Sequence, residues 1–206
     1  MSDYDPTNPL IVQGDHSVLV EVDSPRYGEA RDGLVRFAEL IKSPEHIHTY
    51  RVTPLSIWNA CAAGVAADEI VDVLVRYSKY PVPEHVAVEI RDFASRYGRL
   101  QLTREEGGLV LHADDAALAE EIARNRHIAP FLEDRKGLAF HVDPAARGRI
   151  KQALIKIGFP AEDLAGYTPG EPLPLRLREE TGSGEPFAVR AYQRNAADAF
   201  HAAGGP

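Results

Sequence analysis

The apolar residues of this chain change their period several times, and no single class of secondary structure accommodates them all. Residues 9–22 alternate around Gly14-Asp15, which predicts two strands joined by a hairpin turn. Residues 54–97 carry apolar stripes at helical spacing, and residues 99–113 return to alternation around Glu-Glu-Gly-Gly. Because strands and helices come in separate runs, we predict an α+β fold with two small mixed domains.

The first predicted domain covers residues 8–105. After the hairpin, a helix is predicted over residues 24–41 from helical apolar spacing. The residues of that spacing are Leu34, Phe37, Leu40 and Ile41. A strand over residues 46–52 follows, and three helices are then predicted between Pro54 and Gly98, where a glycine is well placed to end the last one.

The second predicted domain covers residues 107–167, with a boundary placed near Gly107. Its predicted elements are strands at 109–113, near 128–132 and at 138–142, and helices at 115–125 and 144–157. The last helix is well delimited by Asp143 as N-cap, Pro144 in its first turn and Gly158 after its end. Residues 168–186 are rich in proline and glycine and predict a linker with one strand-like stretch, LPLRLR.

The charge of the chain is acidic, which limits how it can meet nucleic acid. It carries 31 acidic against 23 basic residues, a net charge of −8, and nine acidic against four basic residues lie in the first fifty. A free-standing DNA-binding protein usually has a basic footprint, so we expect weak DNA binding by this chain alone. The acidic, polar start has no signal-peptide pattern and no apolar run is long enough for a membrane span, so we expect a cytoplasmic protein without membrane contact.

Predicted helix 144–157 is the most basic element of the chain. Ile150, Leu154 and Ile157 share one arc of this helix, and its four cations lie outside that arc. Arg147 and Lys151 border the arc on one side, whereas Arg149 and Lys156 lie across the helix. Two pairs on different sides favour solvated flanks, and a DNA contact remains the alternative interpretation.

Other candidate sites favour structural roles. His46 and His48 would share one strand face, but no third ligand lies nearby in sequence, so we predict no metal site. Cys61 sits among alanines of a predicted core helix and is expected to be a buried thiol. The 206 residues contain no phosphate-loop, nucleophile-elbow or H-E-x-x-H motif, so we predict no catalytic residue in this chain.

Three helices and a hairpin between Leu55 and Ala113 also follow the order of a winged helix. Its third helix would carry Arg91 and Arg96 beside a similar number of acidic residues. Because groove recognition needs cationic donors, this alternative is the weaker one.

Three groups of residues resemble the non-motor front part of XPB-type DNA repair helicases of superfamily 2. The first comprises SPEHIHTYRVTPLSIWNACAAGV (43–65), VDVLVRYSKYPVPEHV (71–86) and SRYGRLQL (95–102). The second comprises IAPFLEDR (128–135) and RGRIKQALIKIGFPAEDLAGY (147–167), similar to the damage-recognition domain. The third is VRAYQRNAADAF (189–200), similar to the opening of the first helicase lobe, and the resemblance implies that residues 187–206 begin this lobe.

The resemblance implies a role for each part of the chain. Arg190, Tyr192 and Gln193 would form an adenine-binding Q-motif, with Ala191 departing from the residues common in the family. The second domain would touch DNA and sense its distortion. Its phosphate contacts would be Arg124, Arg126, Arg135, Lys136, Arg147 and Lys151.

The resemblance further implies a longer parent, an ATP-dependent 3′ to 5′ DNA translocase of nucleotide excision repair that uses ATP and Mg²⁺. This chain would end before the phosphate loop and would not hydrolyse ATP by itself. Its partners would be DNA and a protein such as a nuclease or another repair factor. A stand-alone protein-interaction module and a winged-helix regulator are the two alternatives.

Overall fold

The computed structural model describes residues 4–166 and 176–203, and the chain divides into two compact units, Met1–Gly166 and Tyr167–Pro206. Two antiparallel-rich sheets with flanking helices build the first unit, which confirms the predicted α+β class. Among the described residues, no helix combines the length and the apolarity that crossing a bilayer requires.

The first sheet has four antiparallel strands in the order β1-β2-β4-β3. They are β1 (Leu10–Val12), β2 (Ser17–Glu21), β3 (Glu39–Lys42) and β4 (Ile47–Arg51). The predicted hairpin joins β1 to β2, with Leu10 opposite Val20. At its turn the Ser17 backbone N–H donates to the Asp15 carboxylate at 3.0 Å, and His16 adopts a φ of 65°. A short polar side chain thus stabilises the turn that the sequence predicted.

Four helices pack on this sheet and enclose the first core. They are α1 (Tyr27–Leu34), α2 (Pro54–Ala62), α3 (Ala67–Tyr77) and α4 (Glu84–Ser95). Buried Val18, Leu34, Ile57, Leu74 and Ile90 bring β2 and all four helices into one cluster. The apolar stripes of the predicted helices therefore face a common core.

The helix predicted over 24–41 ends early, at Leu34, and residues 39–42 form the strand β3. Leu34 and Phe37 are buried as expected, but Leu40 and Ile41 are about half exposed. Leu40 pairs with Tyr50 of β4, so sheet hydrogen bonds satisfy a backbone that the spacing assigned to a helix. The distant partner β4 decides this conformation, and a local apolar period cannot reveal it.

The second sheet has five strands in the order β7-β8-β6-β5-β9. They are β5 (Leu100–Glu105), β6 (Gly108–Ala113), β7 (Leu132–Lys136), β8 (Ala139–Val142) and β9 (Ala161–Asp163). Only the β5–β9 pairing is parallel. Helices α5 (Ala116–Arg124) and α6 (Arg147–Lys156) cover the sheet, and Leu102, Leu111, Ile122, Phe140 and Ile150 meet in its core.

The expected boundary near Gly107 falls in the turn of the β5–β6 hairpin. Leu100 and Leu102 of β5 share a core with Leu109 and Leu111 of β6, so the second sheet begins at Leu100. The expected strand near Ile128–Leu132 also differs, because Ala129–Phe131 form a 3₁₀ turn before β7. Proline in that turn has no N–H to donate to a ladder.

The winged-helix order is not realised. Helices α2, α3 and α4 belong to the first core, whereas the β5–β6 hairpin lies between β8 and β9 in the second sheet. A hairpin with strands on both sides cannot serve as a free wing. In α4, Arg91 pairs with Asp68 at 2.9 Å and Arg96 pairs with Asp92 at 2.6 Å, so neither predicted groove contact is an uncompensated cation.

The second unit, by itself, contains one described helix, α7 (Ala191–Ala202), none of whose residues is buried. Before it, Glu180 and Pro186 form an isolated bridge around a turn. The predicted linker 168–186 lies partly outside the described residues, as do residues 173–175 of the expected LPLRLR strand. Its remaining residues, 176–178, form no strand.

Candidate nucleic-acid interface

Helix α6 has a fixed rotation about its axis, and this decides where its four cations point. The Asp143 carboxylate accepts the Ala145 backbone N–H at 2.9 Å and caps a 3₁₀ turn at 144–146, from which α6 continues. Ile150 and Leu154 are fully buried against the sheet. With that stripe inward, the cations occupy the two flanks of the helix.

On one flank, Arg147 and Lys151 converge on Asp163 of β9. Arg147 contacts both carboxylate oxygens, Nε to Oδ2 at 3.0 Å and Nη2 to Oδ1 at 2.7 Å, and Nη1 donates to the Gly166 carbonyl at 2.6 Å. Lys151 Nζ donates to Asp163 Oδ2 at 2.7 Å. Only 14% of the Asp163 side chain is exposed. Both predicted phosphate contacts are thus engaged in joining α6 to the edge strand β9.

The protonation of Asp163 follows from this cluster. Burial favours the neutral acid and raises its pKa, but the hydrogen bonds from Arg147 and Lys151 outweigh burial and leave the pKa below the ordinary value. The carboxylate is therefore charged at neutral pH and compensates the two cations. A phosphate approaching this flank would have to compete with Asp163.

Arg124 and Arg135, also predicted as phosphate contacts, share Glu120 of α5. Their guanidinium groups lie 2.9 and 2.8 Å from its two oxygens, and hydrogen bonding from Arg135 is the main cause of a lowered Glu120 pKa. Arg135 also donates to the Gly137 carbonyl at 3.0 Å in the β7–β8 turn. The two ion pairs with Glu120 therefore bring Arg124 and Arg135 near each other, and they do not use all the N–H donors of the two guanidinium groups.

Arg126 and Lys136 complete the predicted set, and neither forms an ion pair with a carboxylate of the described residues. Both side chains are exposed. Arg126 Nε lies 3.2 Å from Nε2 of His127, which must accept this hydrogen bond because a guanidinium only donates. The structure therefore places Arg126 beside a histidine that the sequence did not single out.

The other flank of α6 lines a groove of about 550 Å³, which we call the α6 groove. Its lining residues are His127, Phe131, Arg149, Gln152, Ala153, Lys156 and Ile157. No carboxylate is among them, and within residues 4–166 neither Arg149 nor Lys156 forms an ion pair. The guanidinium of Arg149 lies over the Phe131 ring at 5.5 Å from its centroid, within cation–π range.

The predicted DNA contacts of α6, Arg147 and Lys151, lie on the opposite flank, and the groove was not predicted from the sequence. One sequence signal could have found it. Arg149, Gln152, Ala153 and Lys156 follow the spacing i, i+3, i+4, i+7, which puts them on one helix face. The decisive difference, that Asp163 pairs with Arg147 and Lys151 while Arg149 forms no ion pair within residues 4–166, depends on long-range packing.

The predicted Q-motif residues lie at the start of α7. The Arg190 backbone N–H donates to Oε1 of Gln193 at 3.0 Å, so the glutamine caps the helix. The Tyr192 side chain is exposed. The Gln193 side-chain oxygen is used in this cap, and the 206 residues contain no phosphate-loop motif. Adenine binding by these three residues stays a prediction.

The remaining candidates have structural partners. His46 Nδ1 lies 3.2 Å from Asp23 and His48 Nδ1 lies 3.0 Å from the Tyr27 hydroxyl. Across the described residues, no group of three histidine, cysteine or acidic side chains is placed to hold a metal ion. Burial raises the pKa of the half-buried Cys61 thiol, which disfavours the reactive thiolate.

Comparison with known families supplies the class of protein. Residues 10–136 match a family described as helicase conserved C-terminal domain, and the chain belongs to this family. That description speaks of a C-terminal domain, whereas the sequence resemblance places these residues in front of a motor. The position within a longer helicase is therefore part of the proposal below.

Individual relatives of the chain carry the name XPB. The chain is 52% identical over 198 residues to the DNA 3'-5' helicase XPB of Mycobacterium tuberculosis, covering 95% of this chain and 35% of that protein. It is 49% identical over 194 residues to the protein of the same name from Kineococcus radiotolerans, covering 93% and 34%. A Saccharomyces cerevisiae relative, the general transcription and DNA repair factor IIH helicase/translocase subunit XPB/SSL2, is 32% identical over 129 residues, covering 62% and 15%. The chain thus spans about a third of the length of its bacterial relatives.

Proposed function

We propose that this chain is the accessory, non-motor region of an XPB-type DNA helicase, and that its second sheet contacts DNA during repair. The observation that carries the proposal is the α6 groove, a cationic surface without carboxylates on a chain of net charge −8. Two bacterial relatives named DNA 3'-5' helicase XPB, similar across nearly the whole chain, support the same assignment.

The cations around the second sheet fit a weak, distortion-sensing contact. Arg126, Arg149 and Lys156 are exposed and lack carboxylate partners among the described residues, whereas Arg147 and Lys151 hold β9 in place. A few phosphate contacts on an acidic protein give affinity that salt suppresses easily. Tight grip on DNA, ATP with Mg²⁺, and 3′ to 5′ movement are proposed for the longer parent protein.

The first sheet is proposed as the surface for a protein partner, such as a nuclease or another repair factor. Every residue of its edge strand β3 is exposed, including Leu40 and Ile41. An edge strand with free backbone groups is a ready template for a partner strand. The yeast relative is named as a subunit of a larger factor, which agrees with a partner-binding role for this type of protein.

The experiment is fluorescence anisotropy of the 206-residue chain with labelled duplex, forked and lesion-containing DNA, at low and at physiological salt. We expect preference for the fork or lesion, with dissociation constants on the order of micromolar or weaker at physiological salt. Equal, salt-insensitive signals for all three DNAs would contradict the proposal, as would the absence of binding at low salt.

A further inference from the structure

We infer that the α6 groove binds single-stranded DNA, with the phosphodiester backbone on Arg149 and Lys156 and a base on the apolar floor between them. The inference rests on the proposed function, which assigns DNA contact to the second sheet, and it names the form of DNA and the residues. It concerns a surface that the sequence interpretation left as a solvated flank.

The charges of the groove suit a phosphodiester. Arg149 and Lys156 are seven residues apart on α6, or about 10.5 Å along the helix axis. Both are exposed, and His127 lines the same groove with the cation of Arg126 beside it. The acidic residues Glu133 and Asp134 of β7 come shortly after Phe131 in sequence, but they do not line the α6 groove. An anionic backbone would meet cations here without competition from a lining carboxylate.

The floor of the groove suits a base. Phe131, Ala153 and Ile157 give it an apolar surface between the cations, and the Arg149 guanidinium lies over the Phe131 ring. Single-stranded DNA is bound by surfaces that combine a cationic track with aromatic or guanidinium planes on which bases stack. Duplex DNA keeps its bases inside the stack and would use only the cations.

The size of the groove also favours an unpaired strand. Its volume of about 550 Å³ lies within the range of small-ligand sites. A concavity of this size accommodates a nucleotide, whereas a duplex could only rest on its rim. An unpaired nucleotide at a fork or a distorted site is the form of DNA that offers both a phosphate and an exposed base face.

The test compares binding of labelled dT15 and a labelled duplex to the wild type and to Arg149→Ala/Lys156→Ala. We expect the double variant to bind dT15 about tenfold more weakly, and the slope of log K against log salt to fall by about 1.4, since each lost single-strand contact removes about 0.7. Phe131→Leu keeps an apolar residue but loses the ring, and we expect about a fivefold loss or more. Thermal melting by circular dichroism confirms that each variant is folded.

The matched control is Arg76→Ala/Arg178→Ala, which removes the same charge from an exposed position of α3 and from an exposed position before α7. It should leave dT15 affinity within about twofold of the wild type, because exposed charges outside the groove are largely screened. Equal losses in both double variants would overturn the inference, since net charge alone would then explain binding. The inference would also be overturned if polyglutamate displaced labelled dT15 as efficiently, per charge, as unlabelled dT15 does.

The outcomes separate this inference from the proposed function. Binding of duplex or forked DNA with no affinity for dT15 would overturn the inference and leave the proposed function intact. If Arg149→Ala/Lys156→Ala bound dT15 as tightly as the wild type, the inference would likewise be overturned while the proposed function stands. Failure to bind any DNA at low salt would overturn both.

Discussion

Asp163 determines which cations of α6 are available. Its carboxylate accepts three hydrogen bonds from Arg147 and Lys151, whereas Arg149 and Lys156 form no ion pair with any carboxylate of the described residues. Bidentate contact with a guanidinium is among the stronger hydrogen-bonded arrangements in proteins. A single acidic residue on a short edge strand therefore separates the structural flank of this helix from its open flank.

Asp163→Asn should destabilise the protein by about 2 kcal/mol at neutral pH, because it removes the charge that compensates two partly buried cations. The pKa of Asp163 is lower in the folded protein than in the unfolded chain, where it is about 3.9. Its contribution is thus fully present above about pH 4 and is lost as the pH falls through the lowered pKa. Urea unfolding of wild type and variant, measured at several pH values, checks this.

The matched variant for that measurement is Asp72→Asn, which neutralises an exposed carboxylate of α3. It should change the free energy of unfolding by less than about 0.5 kcal/mol at every pH. The wild type and Asp163→Asn should differ less in free energy of unfolding as the pH falls. If this difference stayed constant down to the lowest pH measured, the loss of stability would not come from the ionised carboxylate.

Helix α2 begins with a complete capping box. The Ser56 backbone N–H donates to the Thr53 hydroxyl at 3.0 Å, and the Thr53 N–H donates to the Ser56 hydroxyl at 2.9 Å, with Pro54 in the first turn. These bonds satisfy backbone donors that the first turn of a helix leaves unpaired. The start of α2 is therefore fixed by local residues.

Thr53→Ala should cost about 1 kcal/mol of stability, since it removes the acceptor for the Ser56 N–H. Thr53→Ser keeps the hydroxyl and should recover most of that loss. Chemical denaturation of the two variants beside the wild type measures the difference. Equal destabilisation by alanine and serine would assign the effect to the lost methyl group instead of the cap.

Elements with local signals were predictable, and elements that depend on distant partners were not. The start of α2 at Pro54 and the hairpin turn at Gly14-Asp15 follow from neighbouring residues, and the sequence predicted both. Leu40 has helical spacing from Phe37, yet pairing with Tyr50 makes it part of a strand. In the same way, the parallel pairing of β9 with β5 brings Asp163 to α6. This long-range pairing makes the two flanks of α6 different.

Both hydrophobic cores, the α6 groove and the Asp163 cluster lie within Met1–Gly166. The described helix of the second unit, α7, buries none of its own residues and carries the predicted adenine-binding residues Arg190, Tyr192 and Gln193. The proposed DNA contact and the predicted nucleotide contact therefore lie in different units of the chain.

A chain that ends at Gly166 should therefore keep both the stability and the DNA binding of the 206-residue protein. We expect its melting temperature to change by less than about 2 °C, which for a domain of this size corresponds to less than about 1 kcal/mol. Affinity for dT15 should stay within about twofold, because every lining residue of the groove is retained. Differential scanning calorimetry measures the melting temperatures of the two chains, and fluorescence anisotropy at matched salt measures their affinities for dT15. A melting temperature lower by about 5 °C or more would mean that residues beyond Gly166 stabilise the first unit, and a lost dT15 signal at unchanged stability would move DNA contact to those residues.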